Sequence, residues 1–210
     1  MSGTVWTIVV AAGSGQRFGR PKQFEDLGGR TVLEWSRAVA ADCSDGVVLV
    51  LPASEVRPGD PHTVAGGSTR SESVRHGLAA VPADAEIVCV HDAARPFASA
   101  DLFRSVIDAV RSGADGVVPA LPVADTIKVV SPDGRVLHTP DRASLVSIQT
   151  PQAFRAQVLR AVHAAGGEGT DDASLVEAHG YSVITVPGEH RNRKITHPDD
   201  LVWARAEVGE

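Results

Sequence analysis

Apolar and polar positions divide the first part of the chain into alternating short and long elements. Val5 to Val10 is a β-branched run that ends near Gly and Ser, so it reads as a buried strand feeding a loop. Thr31 to Asp42 places Val32, Trp35 and Val39 at helical spacing. Val47 to Leu51 is again continuously apolar and stops at Pro52. Ser71 to Val81 reads as a helix, and Glu86 to Val90 as a strand that ends in His91-Asp92. Asp101 to Arg111 sets Leu102, Val106 and Val110 on one stripe, and Gly116 to Ala120 is the next strand. Strands alternating with helices imply right-handed crossovers and a largely parallel sheet with helices on both faces. The expected fold is α/β and Rossmann-like, one domain over residues 1–210.

Asp125 to Thr139 interrupts this order. Thr126 to Val130 and Arg135 to Thr139 flank Ser131-Pro132-Asp133-Gly134, a turn in which Pro fixes φ and Gly accepts a positive one. The segment is expected to be an inserted β-hairpin. A hairpin alone is marginal in water, so it either packs on its own domain or serves as an arm for dimerisation. Beyond it, Arg155 to Ala165 and Asp171 to His179 read as helices, Ser182 to Val186 as a strand and Pro198 to Val208 as the last helix. Residues 52–61, rich in Pro, Gly and charge, suit a surface loop.

Composition narrows the function classes. The chain is 43% hydrophobic and 22% charged, enough to bury a core and remain soluble. A formal net charge of −6 argues against nucleic acid as a partner, so any bound anion must meet a local cluster of cations. Cys43 and Cys89 stand among apolar residues and read as buried free thiols in a reducing compartment. No basic stretch precedes an apolar one at the N-terminus, and no apolar run approaches the ~18 residues of a membrane span. A cytoplasmic protein without a membrane partner is expected.

The loop after the first strand carries the chemistry. Ala11-Ala12-Gly13-Ser14-Gly15-Gln16-Arg17-Phe18-Gly19-Arg20-Pro21-Lys22 stands where open α/β sheets bind ligands. Its Gly spacing differs from the dinucleotide fingerprint, and strand two ends in Leu51-Pro52 without an acidic ribose ligand. A Walker A loop needs Gly-Lys-Ser/Thr, which is absent. What remains is a Gly-rich loop with Arg17, Arg20 and Lys22 close together, which suggests a polyphosphate site; the plain alternative is a solvated basic loop.

Here the sequence resembles the 2-C-methyl-D-erythritol 4-phosphate cytidylyltransferase family of the non-mevalonate isoprenoid pathway. The resemblance rests on Ala11 to Gly15 with Arg17, on Pro21-Lys22-Gln23, and on Gly66-Gly67 with Arg70 and Ser73. It continues through Val90-His91-Asp92-Ala93-Ala94-Arg95-Pro96, Asp125-Thr126-Ile127-Lys128, Thr150-Pro151-Gln152, Thr170-Asp171-Asp172-Ala173 and Lys194-Ile195-Thr196. It spans residues 5 to 205, nearly the whole chain. It implies transfer of CMP from CTP to that acceptor, a requirement for Mg2+, and a homodimer joined through a β-arm. By the same resemblance Ala11, Ala12, Gly13, Ser14, Gly15 and Ala93 wrap the nucleotide, and Gly67 and Ser73 recognise cytosine and ribose. Arg17 and Lys22 meet the triphosphate. Asp92 holds Mg2+ and contributes to both nucleotide and acceptor binding, while Arg95, Thr139 and Lys194 serve the acceptor phosphate. Arg17, Lys22, Arg155 and Lys194 form the catalytic set. Arg155 stands one position before the Arg that the family places after Thr-Pro-Gln-x-Phe, a residue that reaches into the partner's site.

The residues themselves are consistent with this chemistry. An acceptor phosphate attacking the α-phosphorus of CTP is already anionic, so cations are needed and a general base is not. Other readings stand beside the functional ones: packing for His91, a cap or loop carboxylate for Asp92, and an ion pair with Asp92 for Arg95. Lys194 also reads as a surface charge, and Thr170-Asp171-Asp172 as an N-cap with first-turn acids. Rival functions are the same transfer to ribitol 5-phosphate, transfer to a sugar 1-phosphate, and a nucleotide-binding regulator without turnover.

Overall fold

The structure is a computed structural model that describes residues 3–209. Its elements run β1 (Val5–Val10), β2 (Asp26–Leu27), β3 (Arg30–Thr31), α1 (Val32–Cys43), β4 (Gly46–Leu51), β5 (Thr63–Ala65), α2 (Arg70–Ala80), β6 (Ile87–Asp92), α3 (Ala100–Arg111) and β7 (Gly116–Pro122). They continue with β8 (Val129–Val130), β9 (Val136–His138), β10 (Val146–Ile148), β11 (Gln152–Arg155), α4 (Ala156–Ala164), α5 (Asp172–Ala178), β12 (Val183–Pro187) and α6 (Pro198–Glu207).

The start of α1 shows how local sequence sets a boundary. Glu34 N donates to Thr31 Oγ1 at 3.2 Å and Thr31 N donates to Glu34 Oε2 at 2.6 Å, a reciprocal cap that satisfies two otherwise orphaned donors. Alternation along each strand then sorts side chains between the faces of one mixed, mostly parallel eight-stranded sheet, ordered β10-β7-β11-β6-β1-β4-β5 with β12 beside β7. On one face Ile8, Val48, Val88 and Val90 pack under α2, α4 and α5; on the other Val9, Cys89 and Val117 pack under α1 and α3. Cys89 is buried and Cys43 half-buried; both are free, and burial pushes the Cys89 thiol up to about 12.

Two strands that the sequence did not announce change the sheet. β10 and β11 run antiparallel to β7, and β11 also pairs antiparallel with β6, so the segment after the hairpin wedges between two otherwise parallel strands. Arg155 closes β11, and the helix expected from Arg155 begins at Ala156. β5 adds a further short edge strand just beyond the 52–61 segment expected to be loop.

The hairpin forms, with β8 pairing only β9. Ser131 N donates to Arg135 O at 2.9 Å across its turn. It is not packed on its own domain: Ile127, Val129, Val130, Val136 and Leu137 are exposed, Leu137 by 59%.

β1, β4 and β6 are mutually parallel, so Val10, Leu51 and Asp92 end at one edge of the sheet. That edge is where the binding loop emerges.

Candidate active site

A cleft of about 550 Å³ opens at this edge, lined by the loop Ala11–Arg17, by Lys22 and Gln23, by Gly67–Arg70 and Ser73, by Asp92–Ala94 and by Lys194. The loop keeps its shape through its own backbone. Phe18 N and Gly19 N both donate to Gly15 O at 2.8 Å. Gly15 has φ +69°, and a Cβ there would lie 1.9 Å from Arg20 O, so only glycine allows the chain to fold back so closely. Gln23 is buried and donates its Nε2 to Ala11 O at 2.8 Å and to Gly13 O at 3.1 Å, bracing the loop from behind. Opposite it, Ser73 Oγ donates to Thr69 O at 2.9 Å and accepts from Gly67 N at 3.0 Å.

The loop cations separate. Arg20 turns outward to Glu25, with Nη2 to Oε2 at 2.7 Å, so it is already neutralised and does not face the cleft. Arg17 stays exposed on the cleft wall. Lys22 is half-buried, and its amine is pulled below the ordinary lysine value by burial first, then by Lys194 and Arg17. Three of the cleft's cations therefore repel one another around a space that an anion would relieve.

Asp92, 9% exposed, is the only carboxylate on the cleft wall among the described residues. Lys194 Nζ donates to its Oδ2 at 2.6 Å, and Arg70 Nε lies 3.7 Å from Oδ1. Burial opposes its charge, but Lys194, Arg70 and Arg95 outweigh that and hold the carboxyl well below the usual range. Its Oδ1 has Arg70 only at a distance beyond a hydrogen bond, which leaves it open to a hard cation. No group of three or more His, Cys, Asp or Glu that would hold a metal occurs among the described residues, so such an ion would need phosphate oxygens for most of its shell.

Other expected site residues lie elsewhere. His91 is fully buried, with Nδ1 3.0 Å from Thr150 Oγ1 and Nε2 3.2 Å from Arg95 O, in line with its packing reading, and burial lowers it to about 4. Arg95 is off the cleft lining and makes no ion pair with Asp92. Its guanidinium donates to Asn192 O at 2.8 Å and Ile148 O at 3.4 Å, tying the Lys194 loop to β10. Thr139 is exposed at the hairpin base, its Oγ1 accepting from Lys128 Nζ at 2.7 Å, outside this cleft. Arg155 is in register with Ile87, the start of β6, whereas Asp92 is its end. Its side chain donates to Gly113 O at 2.7 Å and Ala114 O at 3.2 Å, so it does not join the cleft of its own chain. Thr170 is not the cap of α5; Asp171 is, accepting from Ser174 N at 2.9 Å.

Comparison with known proteins completes the description. The family model described as 2-C-methyl-D-erythritol 4-phosphate cytidylyltransferase matches residues 5–210. The chain belongs to this family. It is 48% identical to the cytidylyltransferase of that name from Rhodococcus jostii, covering 99% of this chain and 96% of the relative. The counterpart from Streptomyces coelicolor is 45% identical over 95% of this chain and 83% of its own. Among solved structures, the Thermus thermophilus cytidylyltransferase superposes with a TM-score of 0.81 at 38% identity over 96% of this chain and 97% of that one. The 4-diphosphocytidyl-2C-methyl-D-erythritol synthase of Anaerococcus prevotii gives 0.85 at 33% identity, covering both chains fully. The resemblance read from the motifs is thus family membership, and the α/β architecture is that of the family's solved structures.

Proposed function

We propose that this protein transfers CMP from CTP to 2-C-methyl-D-erythritol 4-phosphate, releasing pyrophosphate and forming 4-diphosphocytidyl-2-C-methyl-D-erythritol. It acts as a single nucleotidyltransferase domain, in a cytoplasmic homodimer with Mg2+. The observation that carries this reading is Asp92 with Lys194 at 2.6 Å, facing Lys22 and a glycine-braced loop in a chain of this family.

In the reaction an oxygen of the acceptor phosphate forms a bond to the α-phosphorus of CTP. The bond from that phosphorus to its bridging oxygen breaks, and the electron pair leaves with pyrophosphate. The backbone of Ala11 to Gly15 approaches the triphosphate closely, with Arg17 and Lys22 on its nonbridging oxygens. In this reading Gly67 and Ser73, which line the same cleft as Ala93, recognise the base and ribose. Lys194, released from Asp92 as phosphates enter, meets the acceptor phosphate. Asp92 Oδ1 would hold Mg2+, which when bound neutralises triphosphate charge. In the same reading, Arg95 supports the acceptor side by fixing the Lys194 loop, and Thr139 on the arm serves the partner's site.

Pyrophosphate release decides this. The protein with Mg2+ is given CTP or another nucleoside triphosphate, and 2-C-methyl-D-erythritol 4-phosphate or ribitol 5-phosphate. Release only with CTP and the branched acceptor is expected. Preference for ribitol 5-phosphate would move the function to another polyol, and no release with any pair would favour a binding protein without turnover.

A further inference from the structure

Arg70 and Asp172 form a partly buried ion pair that the chemistry above does not use. Arg70 opens α2 on the cleft wall; its Nη1 donates to Asp172 Oδ2 at 2.7 Å while its Nε faces Asp92 Oδ1 at 3.7 Å. Asp172 opens α5 and is wholly buried, and its other oxygen accepts from His163 Nε2 at 3.0 Å. His163, on α4, is itself buried, and its Nδ1 has no partner among the described residues. These contacts select the tautomer with hydrogen on Nε2, because a buried unpaired N–H costs more than a bare lone pair.

The helix does not need this acid. Asp171 already caps α5, and its second oxygen accepts from Gln152 Nε2 at 2.7 Å, which anchors the helix to β11. Stability does not demand it either, since apolar side chains of similar volume often match or exceed a buried ion pair. What the pair sets is direction. A guanidinium held at Nη1 by a fixed carboxylate loses much of its freedom to rotate, and its remaining donors stay aimed at one place. The place here is the cleft beside Asp92. Freed of Asp172, the same guanidinium would close on Asp92 and compete with Lys194 and a metal for its oxygens.

We propose that Asp172, backed by His163, is a positioning residue that holds Arg70 across the cleft for a nonbridging phosphate oxygen of the nucleotide. This rests on the transferase reading above, in which Arg70 becomes a further catalytic residue. It adds to the cleft a cation whose aim is set from α4 and α5 rather than from the loop.

A double-mutant cycle tests it. Arg70→Ala is expected to lower kcat/KM for CTP by ~10² or more, the usual effect of losing one donor to developing charge. Asp172→Asn is expected to lower it by about tenfold, with a raised KM for CTP, which a smaller folded fraction would leave unchanged. Combined, the two should do no more than Arg70→Ala alone, within about threefold. If thermal unfolding shows Asp172→Asn to be unfolded, His163→Gln enters the cycle in its place. Losses that multiply in the double variant, or a near-normal kcat/KM for the folded single variant, would overturn the proposal. If the wild type binds CTP without turnover, the functional reading fails, and the cycle is read on CTP affinity, where additivity again defeats the relay.

Discussion

Lys22 is placed against its own electrostatic preference, half out of water and near two other cations. It forms no ion pair among the described residues, so its removal takes little from folding, while its loss from a triphosphate site removes a donor to developing charge. Lys22→Ala is expected to keep the wild-type unfolding temperature within a few degrees and to lower turnover by at least about 10². Near-normal turnover would remove Lys22 from the mechanism. His91 gives a different test. Its folded value of about 4 lies below the ordinary 6.5, with burial the largest cause, partly offset by Asp92 and the Arg95 carbonyl. Between those values the unfolded chain binds a proton that the native chain refuses, so stability is full above pH 6.5 and falls as pH drops toward 4. The loss over that window is about 3 kcal/mol from this group. Denaturant midpoints from pH 7 to pH 4 should show it, and a folded His91→Gln variant should show a shallower slope; equal slopes would assign the acid sensitivity elsewhere. At this scale sequence distinguished types better than directions. Arg17, Arg20 and Lys22 look alike on paper, and only the fold shows Arg20 turned to Glu25. Asp172 looks like a first-turn acid, and only the fold brings it Arg70, distant in sequence.

Among elements, those with a local cause were legible. α3 announces itself by its apolar stripe, and β1, β4 and β6 by continuous apolar runs, because each pattern is the imprint of a sheet face. β10 and β11 left no such imprint. They are short, they are separated by Gln149-Thr150-Pro151, and Arg155 ends the second strand with a side chain suited equally to a helix. Their positions, β11 between β6 and β7 and β10 beside β7, are a tertiary choice, set by pairing with strands outside their own segment. The loop after β1 lies between these cases. Its glycines promised close approach to a ligand, but the bond from buried Gln23 to Ala11 and Gly13 carbonyls could not be read in advance. Gly15→Ala tests how far that geometry matters. A methyl group 1.9 Å from Arg20 O, at φ +69°, forces the loop to open. CTP affinity is expected to fall by tenfold or more with a smaller effect on the unfolding temperature, since of the loop only Ala11 and Phe18 are buried in the core. Unchanged CTP affinity would show that the nucleotide does not use this loop.

For the whole molecule, the unfinished business is the hairpin. The sheet is complete without it, since among the described residues β8 and β9 pair only with each other, yet it carries five exposed apolar side chains in a chain of formal charge −6. Fully burying a side chain of this kind contributes about 1.5–3 kcal/mol, so covering even part of this face supplies a large share of what an interface needs. The occupant that suits it is a second copy of the same chain, because exchanging one identical element closes a two-fold pair without leaving an edge open to further growth. Thr139 stands at the arm's base, away from its own cleft, which is where a residue serving a partner would stand. Replacing residues 126–139 with a short turn is therefore expected to convert a dimer into a monomer in sedimentation at micromolar concentration. CTP titration of that variant should match the wild type, since every residue of the nucleotide loop is retained. The acceptor KM should rise, because in the proposed dimer the arm would contribute to the neighbouring cleft. A full-length protein that sediments as a monomer at that concentration, yet turns over normally, would mean that the arm covers nothing and that each cleft works alone.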